Sequence, residues 1–472
     1  MSGTVPPAAT SESPEQALAR AQAAAHAKRF GEAAGICNDV LTASPEHPAA
    51  LALLGIVAAH AGDPERGIPL LERAIGLRAG VAGWYANLSA LYRMTYRLQD
   101  ALRVGQEAIR LDPQNADHLV GLSLVFTDLD DREQAIACLL RAIGLRHDHA
   151  DGHLALGQNL LAMGQFEPGW IEYEWRNQTE AGKGSLPKMT SAPWNGMLIK
   201  NGRLLMVGDQ GYGDTIQFAR YIPLIADRCQ ELILGCSAEM SPLLAKIPGV
   251  KQYCHRWTDV PGHAAHCLLS SVPRLVHTTL ETIPANVPYL FAEQQRIAAW
   301  RQRLDTTLPN SHRRIGLAWT GRPTHPNDRR RSMSLDRLAP IATAGRACFV
   351  SLQKPVPTAD QLALAQFPGL TDLSADLTDF GETAAIIANL DLVITVDTAI
   401  GHLTGAMGRP VWILLPRTSD WRWLLDRTDS PWYPTARLFR QTTLGAWDPV
   451  IAEVTSALGQ ELQQQRSDIA AS

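Results

Sequence analysis

The sequence predicts an α-helical solenoid followed by an α/β half made of two lobes, each built on a parallel sheet. Three observations predict this architecture. The chain has 472 residues, which is too many for one hydrophobic core. Small residues and leucines recur every 34 residues through the first third. From residue 203 onward, short apolar strands alternate with glycine-containing turns and helical stretches.

The repeat in the first third is held by several columns in one register. Leucines fill one column, at Leu54, Leu88, Leu122 and Leu156. Small residues fill two others, at Gly55, Ser89, Ser123 and Gly157, and at Ala33, Gly67, Ala101, Ala135 and Gly169. Small residues let two antiparallel helices approach closely, and leucines fill the seam between stacked pairs. A generic helical bundle is the alternative, but a bundle has no reason to keep such a period.

These columns resemble the tetratricopeptide repeat (TPR), with about five repeats over residues 14–178 after a tail, residues 1–13, that is expected to be disordered. The resemblance implies a concave surface that takes a helix or an extended peptide of a protein partner. A role in dimerisation or packing alone is the open alternative. Residues 179–202 show no period and are rich in Gly, Pro, Ser and Thr, which predicts a linker.

The second half reads as two Rossmann-like lobes, residues 203–300 and 301–472, that face each other across a cleft. The first lobe opens with a strand at 203–208, a glycine loop, an amphipathic helix over Thr215–Ala226 and a strand at 232–235. Strands of the second lobe are predicted at 315–319, 348–352, 390–396 and 410–415. Their continuous apolar runs indicate burial on both faces of a doubly wound sheet. A final helix, from 448 to about 466, is expected to pack on the first lobe.

The glycine loop GDQGYGD, residues 208–214, joins a strand to a helix. Gly211 and Gly213 permit a sharp turn and the close approach of a ligand. Asp214 falls at the helix start, at the mouth of the predicted cleft. The plain alternative is that Asp214 only caps the helix, because Asp is a favoured N-terminal residue.

The segment VDTAIGHLTGAMGRPV, residues 396–411, joins a buried strand to a second helix. The free N–H groups past Thr398 make a site for an anion such as a diphosphate, and His402 lies one turn in on the same face. The alternative is an N-cap at Asp397 or Thr398 and a buried histidine with satisfied hydrogen bonds.

Two other segments combine arginines or aromatic residues near the same strand ends. Three consecutive arginines in Thr324–Ser332 suit phosphate oxygens, although such a run is more often a solvated surface. In the segment 420–424, DWRWL, Trp and Arg interleave, and the segment 430–434, SPWYP, adds further aromatic residues. Those aromatic faces either stack on a nucleobase or form core where the two lobes meet.

The net charge of −4 gives no electrostatic reason for a nucleic-acid partner. No signal peptide and no membrane-spanning run are expected, so a cytoplasmic protein without integral membrane association is predicted. Seven scattered cysteines without a CxxC pair indicate reduced thiols. The cluster Cys254, His255, His263, His266 and Cys267 fits no standard zinc spacing, and any role for it stays open.

Taken together, these residues resemble the heptosyltransferase-like glycosyltransferase family 9, in its TPR-fused branch. The resemblance implies the two-lobed glycosyltransferase B fold and covers about residues 165–445. It implies that Asp214 is the catalytic base and that Gly211, Gly213 and Gln217 lie on the acceptor side. Around the donor phosphates the matching positions are Asp397, Thr398, Ala399, His402, Arg329, Arg331 and Gln353.

The resemblance therefore predicts inverting glycosyl transfer from a nucleotide-sugar donor to an acceptor hydroxyl. No cofactor and no metal are expected, because the one DxD sequence, Asp128-Leu-Asp130, lies in the repeat array. The architecture is similar to that of protein O-glycosyltransferases, including bacterial flagellin glycosyltransferases, which implies a protein acceptor held by the array. The alternatives are a lipid or polysaccharide acceptor, and a TPR adaptor with an inactive transferase fold.

Overall fold

A computed structural model describes residues 12–184, 186–309, 312–325 and 327–471, with side chains up to residue 464. The predicted tail, residues 1–13, lies outside the described residues apart from Glu12 and Ser13. Internal contacts divide the chain into two compact units, Met1–Leu156 and Gly157–Ser472. The division falls within the last predicted repeat, not at its end.

The N-terminal part of the chain consists of paired helices. These are α1 (Pro14–His26), α2 (Phe30–Ala43), α3 (Pro48–His60), α4 (Pro64–Leu77), α5 (Ala82–Met94), α6 (Leu98–Leu111), α7 (Ala116–Asp128), α8 (Arg132–Leu145), α9 (Ala150–Ala162) and α10 (Phe166–Tyr173). The first helix of each pair starts 34 residues after the previous one, from Pro14 to Pro48 and onward to Ala150. The second helices keep the same spacing, so the predicted repeat is confirmed.

The columns of small residues lie where paired helices touch. A Cβ atom added to Gly67 would lie 2.5 Å from the carbonyl oxygen of Gly55 on the partner helix. In the next pair, the Ser89 hydroxyl donates to the carbonyl of Ala101 at 2.7 Å. The helices are therefore too close for larger side chains at these positions, which explains the period.

Shorter helices and two sheets make up the rest. The helices are α11 (Tyr212–Phe218), α12 (Ile222–Ile225), α13 (Ser241–Leu244), α14 (Val272–Leu275), α15 (Gln294–Thr307), α16 (Asp328–Arg331), α17 (Gln361–Gln366), α18 (Phe380–Ile387), α19 (Ala399–Ala406) and α20 (Asp448–Ala471). The strands are β1 (Ala192–Pro193), β2 (Ile199–Val207), β3 (Cys229–Gly235), β4 (Val250–Cys254), β5 (Ala265–Leu268), β6 (Arg313–Ala318), β7 (Ala347–Ser351), β8 (Leu370–Asp372), β9 (Leu392–Val396), β10 (Val411–Leu415) and β11 (Ala436–Arg440).

Both sheets are parallel, as predicted. The first has the strand order β1-β5-β2-β3-β4 and the second β11-β10-β9-β6-β7-β8. All five residues of β9 and of β10 are buried, as expected for strands covered on both faces. A helical repeat array followed by two Rossmann-like sheets confirms the predicted fold class.

The structure differs from the predicted element boundaries at three places. The segment predicted as a linker, 179–202, contributes β1 and the start of β2 to the first sheet. The helix predicted over Thr215–Ala226 is broken into α11 and α12 by a 3₁₀ turn, because Pro223 has no N–H to continue the ladder. The lobe boundary predicted at 300/301 falls inside α15, which packs on α18 of the second lobe through the bond from Trp300 to Glu382 (2.7 Å).

The final helix lies elsewhere than expected. Helix α20 packs on the second lobe, not the first, so that prediction is wrong. Val450, Val454 and Leu458 join one buried core with strand residues of the second sheet. Arg313, at the start of β6, forms an ion pair with Glu461 at 2.6 Å. The apolar side of α20 is therefore covered by the second lobe, the lobe to which α20 belongs.

Candidate active site

Asp214 lies in the first turn of helix α11, after the glycine loop that follows strand β2. Its Oδ2 accepts the N–H of Gly211 at 2.9 Å, so the carboxylate does cap the helix. Its Oδ1 accepts a hydrogen bond from the Arg422 guanidinium. The side chain remains 21% exposed. Burial raises the pKa of Asp214 and the Arg422 charge opposes that rise. Capping of the helix therefore uses only Oδ2 of Asp214, and Oδ1 has a different partner.

The second predicted segment starts where β9 ends. Thr398 has extended backbone angles (φ −141°, ψ 171°) and precedes helix α19. Its hydroxyl bonds to the Thr395 hydroxyl at 3.0 Å and does not cap the helix. The N–H of Gly401 donates to the carbonyl of Thr398 at 3.0 Å, so the amides of Ala399 and Ile400 are those that this helix start offers to an anion.

His402 is buried within α19 and is uncharged. Burial, together with the nearby charge of Arg422, lowers its pKa to about 3. The Nδ1 atom lies 2.9 Å from the Tyr433 hydroxyl, and the ring stacks on Trp423 with centroids 5.2 Å apart. A neutral imidazole offers an N–H dipole to a phosphate but no positive charge, so the charge must come from arginines and helix amides.

Asp397 is the buried carboxylate of this segment, with 7% of its surface exposed. Burial and the charge of Asp420 raise its pKa to about 6, although the charge of Arg331 opposes the rise. Its Oδ1 lies 3.9 Å from Nε2 of His402. Asp397 is therefore close to gaining a proton near neutral pH.

The two predicted segments meet. Helices α11 and α19 are in contact, and a Cβ atom added to Gly213 would lie 2.8 Å from Cδ2 of His402. The absence of a side chain at Gly213 lets the two helix starts approach. The start of α11, which carries Asp214, and the start of α19 thus lie next to each other.

The predicted arginines separate into two environments. Arg331 is 15% exposed and lies 3.6 Å from Asp328, and its charge acts on both Asp397 and His402. Arg329 is exposed on α16. The structure therefore brings Arg331, rather than Arg329, toward the other predicted residues, and Arg329 stays a prediction.

Gln353 is buried at the end of β7 and holds a neighbouring loop. Its Oε1 accepts the N–H groups of Trp319 and Thr320, each at 3.0 Å, and its Nε2 donates to the carbonyl of Pro355 at 3.1 Å. These bonds shape the end of β6, so the side chain supports the second-lobe edge of the site. Donor contact by Gln353 stays a prediction.

Arg422 and Asp420 are the principal site residues that sequence reasoning did not single out. The Arg422 guanidinium also donates to Oε1 of Gln217 at 2.6 Å and to Oδ1 of Asp420 at 2.7 Å. Gln217, predicted on the acceptor side, is fully buried by this contact. The interleaved Trp and Arg of 420–424 marked the segment, but Gln217 and Asp214 lie about two hundred residues away in the chain, and no local spacing reveals these contacts.

The aromatic residues of 420–434 form core rather than an open stacking platform. The core members that are at most 2% exposed are Trp421, Trp423, Trp432 and Tyr433. Trp421 packs edge-on against Trp170 at 5.2 Å. Of the two alternatives left open by the sequence, the packed junction is the one observed.

The end of the helical array takes part in this core. Trp170 of α10 donates from Nε1 to the carbonyl of Thr278 at 2.9 Å and is 2% exposed. The Tyr173 hydroxyl donates to Gln210 of the glycine loop at 3.0 Å. Arg176 follows, 3.6 Å from Asp209. Residues after α9 therefore hold the loop that carries Asp214.

The cysteine–histidine cluster is split by the fold. Cys254 ends β4 and Cys267 lies in β5, and the order β5-β2-β3-β4 places two strands between them. Among the described residues, no three His, Cys, Asp or Glu side chains are grouped as metal ligands would be. All seven cysteines are free thiols. Within the part of the chain that the structure describes, no helix combines the length and apolarity needed to cross a bilayer.

A comparison with known protein families finds a match within the second lobe. Residues 361–448 match the model of glycosyltransferase family 9 (heptosyltransferase). That segment contains Asp397, Thr398, His402 and Arg422. The chain is also 26% identical over 421 residues to Protein FlbA of Caulobacter vibrioides, which covers 83% of this chain and 69% of the relative.

Similar solved structures cover the helical array. The crystal structure of MamA is 22% identical and covers 35% of this chain and 97% of that protein, with a TM-score of 0.31. A thermophilic TPR protein of Thermus thermophilus is 22% identical and covers 36% of this chain and 93% of that protein, with a TM-score of 0.34. The assignment of the array itself rests on the spacing of its helices.

Proposed function

We propose that this chain, a glycosyltransferase that joins a TPR array to a family 9 segment, performs inverting, metal-independent transfer of a sugar from a nucleotide-sugar to an acceptor hydroxyl. One observation carries the proposal: the Asp214 carboxylate and the start of α19 lie together, with Gly213 against His402. A base beside an anion site is the pair that such a displacement needs.

In the proposed reaction, Asp214 takes the proton of the acceptor hydroxyl as its oxygen attacks the anomeric carbon. The bond from that carbon to the phosphate oxygen breaks on the opposite face, and the nucleoside diphosphate leaves. A single displacement of this kind inverts the anomeric configuration. The proton transfer is worth roughly 10²–10⁴ in rate, and the rest comes from positioning and from stabilising the leaving group.

The leaving diphosphate would be held by the first amides of α19, by Arg331 and by the N–H of neutral His402. Asp397 fits this role although it is acidic. Its pKa is already raised to about 6 by burial, and an adjacent diphosphate would raise it further by charge repulsion. A protonated Asp397 then donates a hydrogen bond to the phosphate instead of repelling it.

Two features favour transfer without a metal. The arginine, the helix amides and a proton on Asp397 together supply what a divalent cation would otherwise supply. The DxD sequence lies in the repeat array, where Asp128 is buried and forms an ion pair with Arg93 at 3.0 Å. That carboxylate has a structural partner already.

The proposed acceptor is a protein, of which flagellin is one example, bound by the TPR array in the cytoplasm. Stacked helix pairs form extended surfaces suited to peptides, and the seven free thiols suit a reducing compartment. A lipid or polysaccharide acceptor is the competing enzyme, and an inactive adaptor is the competing non-enzyme.

A donor screen tests the proposal. Thermal shift is measured with UDP-, GDP-, ADP- and CMP-sugars, and the donor that stabilises the chain is then used to assay transfer and donor hydrolysis. One donor class is expected to raise Tm, because binding stabilises the folded state by mass action.

Asp214→Asn should bind that donor and lose turnover, whereas Asp227→Asn, an exposed carboxylate of the same lobe, should keep both. Equal turnover in Asp214→Asn and wild type would remove Asp214 as the base. A wild-type chain that is inert with every donor but still binds a protein would favour the adaptor.

A further inference from the structure

Arg422 connects the two sheets at the proposed site. It lies in a 3₁₀ turn, Trp421–Trp423, between β10 and β11 of the second sheet. Its guanidinium reaches α11 of the first sheet, where it donates to Oδ1 of Asp214 and, at 2.6 Å, to Oε1 of Gln217. The third nitrogen donates to Asp420 of its own turn at 2.7 Å.

The guanidinium is held in one orientation. It is 7% exposed, and its central carbon lies 4.3 Å above the ring of Trp421. Burying a charge is costly unless each polar atom has a partner, and here all three nitrogens have one. A planar cation with three fixed acceptors cannot rotate away from Asp214 without leaving a buried group unsatisfied.

This cation also favours the ionised form of Asp214. Burial alone favours the neutral acid, which cannot accept a proton, and Arg422 is the largest influence that favours the carboxylate. Asp420 and Asp209 add negative charge that works in the other direction. The ionised form therefore depends on the guanidinium.

We infer that Arg422 is a positioning residue for the proposed transfer: it orients the Asp214 carboxylate through Oδ1 and keeps it in the form that accepts the hydroxyl proton. The inference rests on the proposed function. Because Oδ1 and Oδ2 each keep a second lone pair while bonded to Arg422 and Gly211, the carboxylate can still accept a proton.

The rival explanation is that Arg422 only joins the two sheets. Arg220 provides a matched comparison, because it is also a buried arginine between the same parts of the molecule. It donates to the carbonyl of Trp432 at 2.8 Å and to the Tyr289 hydroxyl at 3.1 Å, and it is 4% exposed. Loss of either arginine removes a junction, but only Arg422 bonds to Asp214.

The test is the pH dependence of kcat/KM for sugar transfer by the full chain. The acid limb of that profile reports the pKa of the base in the free enzyme. Arg422→Met removes a positive charge beside Asp214, so the pKa of that carboxyl rises and the limb moves to higher pH. A move of one pH unit equals about a tenfold loss on the acid limb, with less loss at alkaline pH.

Arg422→Lys keeps the charge with fewer donors and should move the limb less, and it serves as the readout if Arg422→Met does not fold. Arg220→Met should lower stability and leave the limb in place. If both Arg422 variants lose activity equally at all pH values, the inference is overturned while transfer itself stands. If the wild-type chain transfers no sugar, the proposed function fails and takes this inference with it.

Discussion

Gly213 controls how closely the two halves of the candidate site approach. Any side chain there meets the imidazole of His402, since even a Cβ atom would lie 2.8 Å from Cδ2. The imidazole has no room to move away, because it is stacked on Trp423 and bonded to Tyr433. The role of this glycine is therefore close approach rather than an unusual backbone angle.

Gly213→Ala should separate α11 from α19 and lower sugar transfer by about tenfold or more, since misplacement by about 1 Å costs that much or more. Gly144→Ala is the control, because Gly144 sits in helix α8 with open space around it. That change should stabilise the chain slightly, by up to about 1 kcal/mol. Transfer rates and Tm of both variants are the measurements, and a fully active Gly213→Ala would contradict the role assigned to this contact.

Asp397 links stability to pH in the direction opposite to that of an ordinary paired carboxylate. Its pKa in the folded chain is about 6, above the ordinary value of 3.8, because of burial. The folded chain thus holds this proton more tightly than the unfolded chain. As the pH rises from about 3.8 to about 6, loss of the proton from Asp397 destabilises the folded state.

Asp397→Asn cannot ionise and should therefore be more stable than wild type above about pH 7, with a difference in Tm that shrinks as the pH falls toward about 4. Thermal unfolding between those pH values checks the prediction, and a Tm difference that stays constant across the range would contradict it.

The positions of some site residues could be predicted from the sequence, and those of others could not. Asp397 and Thr398 come directly after strand β9, and Asp214 follows strand β2 after a short glycine loop. The carboxyl ends of parallel strands gather at one edge of a sheet, so these residues could be expected near the ligand-binding edges. Arg422 could not be assigned in this way, because its bond to Asp214 joins residues far apart in the chain. The uncharged state of His402 depends on burial, which sequence does not display.

At the scale of elements, strong periodicity was the reliable guide. The apolar strands β2, β3, β6, β7, β9 and β10 were predicted near their observed positions, and the 34-residue period predicted the paired helices of the array. Strands β4, β5, β8 and β11 are short or half-polar, as in VKQYC and LTD, and carry no such signal. Helix α20 was predicted as an element, but its packing partner depends on three-dimensional proximity.

Helix α10 has the repeat spacing of a TPR helix and the contacts of a transferase element. Trp170→Ala should lower the free energy of unfolding of the Gly157–Ser472 unit by about 3–5 kcal/mol, because a fully packed aromatic side chain is lost. Ile171→Ala on the same helix is the control, since Ile171 is 57% exposed, and it should change stability by about 0.5 kcal/mol or less. Urea unfolding measures both, and equal effects would mean that α10 is not packed as described.

At the scale of the whole molecule, the compact units do not coincide with the repeat boundary. The contact boundary lies between Leu156 and Gly157, whereas the last helix with the repeat spacing, α10, ends at Tyr173. The chain after residue 178 lacks Trp170, Tyr173 and Arg176, which contact Thr278, Gln210 and Asp209.

A deletion of residues 1–147, which keeps α9 and α10 whole, should leave a folded transferase that still binds the donor. A deletion of residues 1–178 should give an unstable product without donor binding. Circular dichroism and donor thermal shift measure the outcome, and two equally stable products would contradict the assignment of α10. If the shorter deletion retains glycan transfer in vivo, the array is not what recruits the acceptor.

The bond between Tyr173 and Gln210 also limits how such a chain can change over evolution. Each repeat upstream of α9 contacts mainly its neighbouring repeats, so the number of these repeats can change with little effect on the rest of the chain. Helix α10 differs from these repeats, because its residues Trp170 and Tyr173 are buried in the interior of the Gly157–Ser472 unit. Exchange of a complete array between related proteins would therefore remove side chains that pack inside the catalytic half. Only exchanges upstream of α9 would keep those contacts.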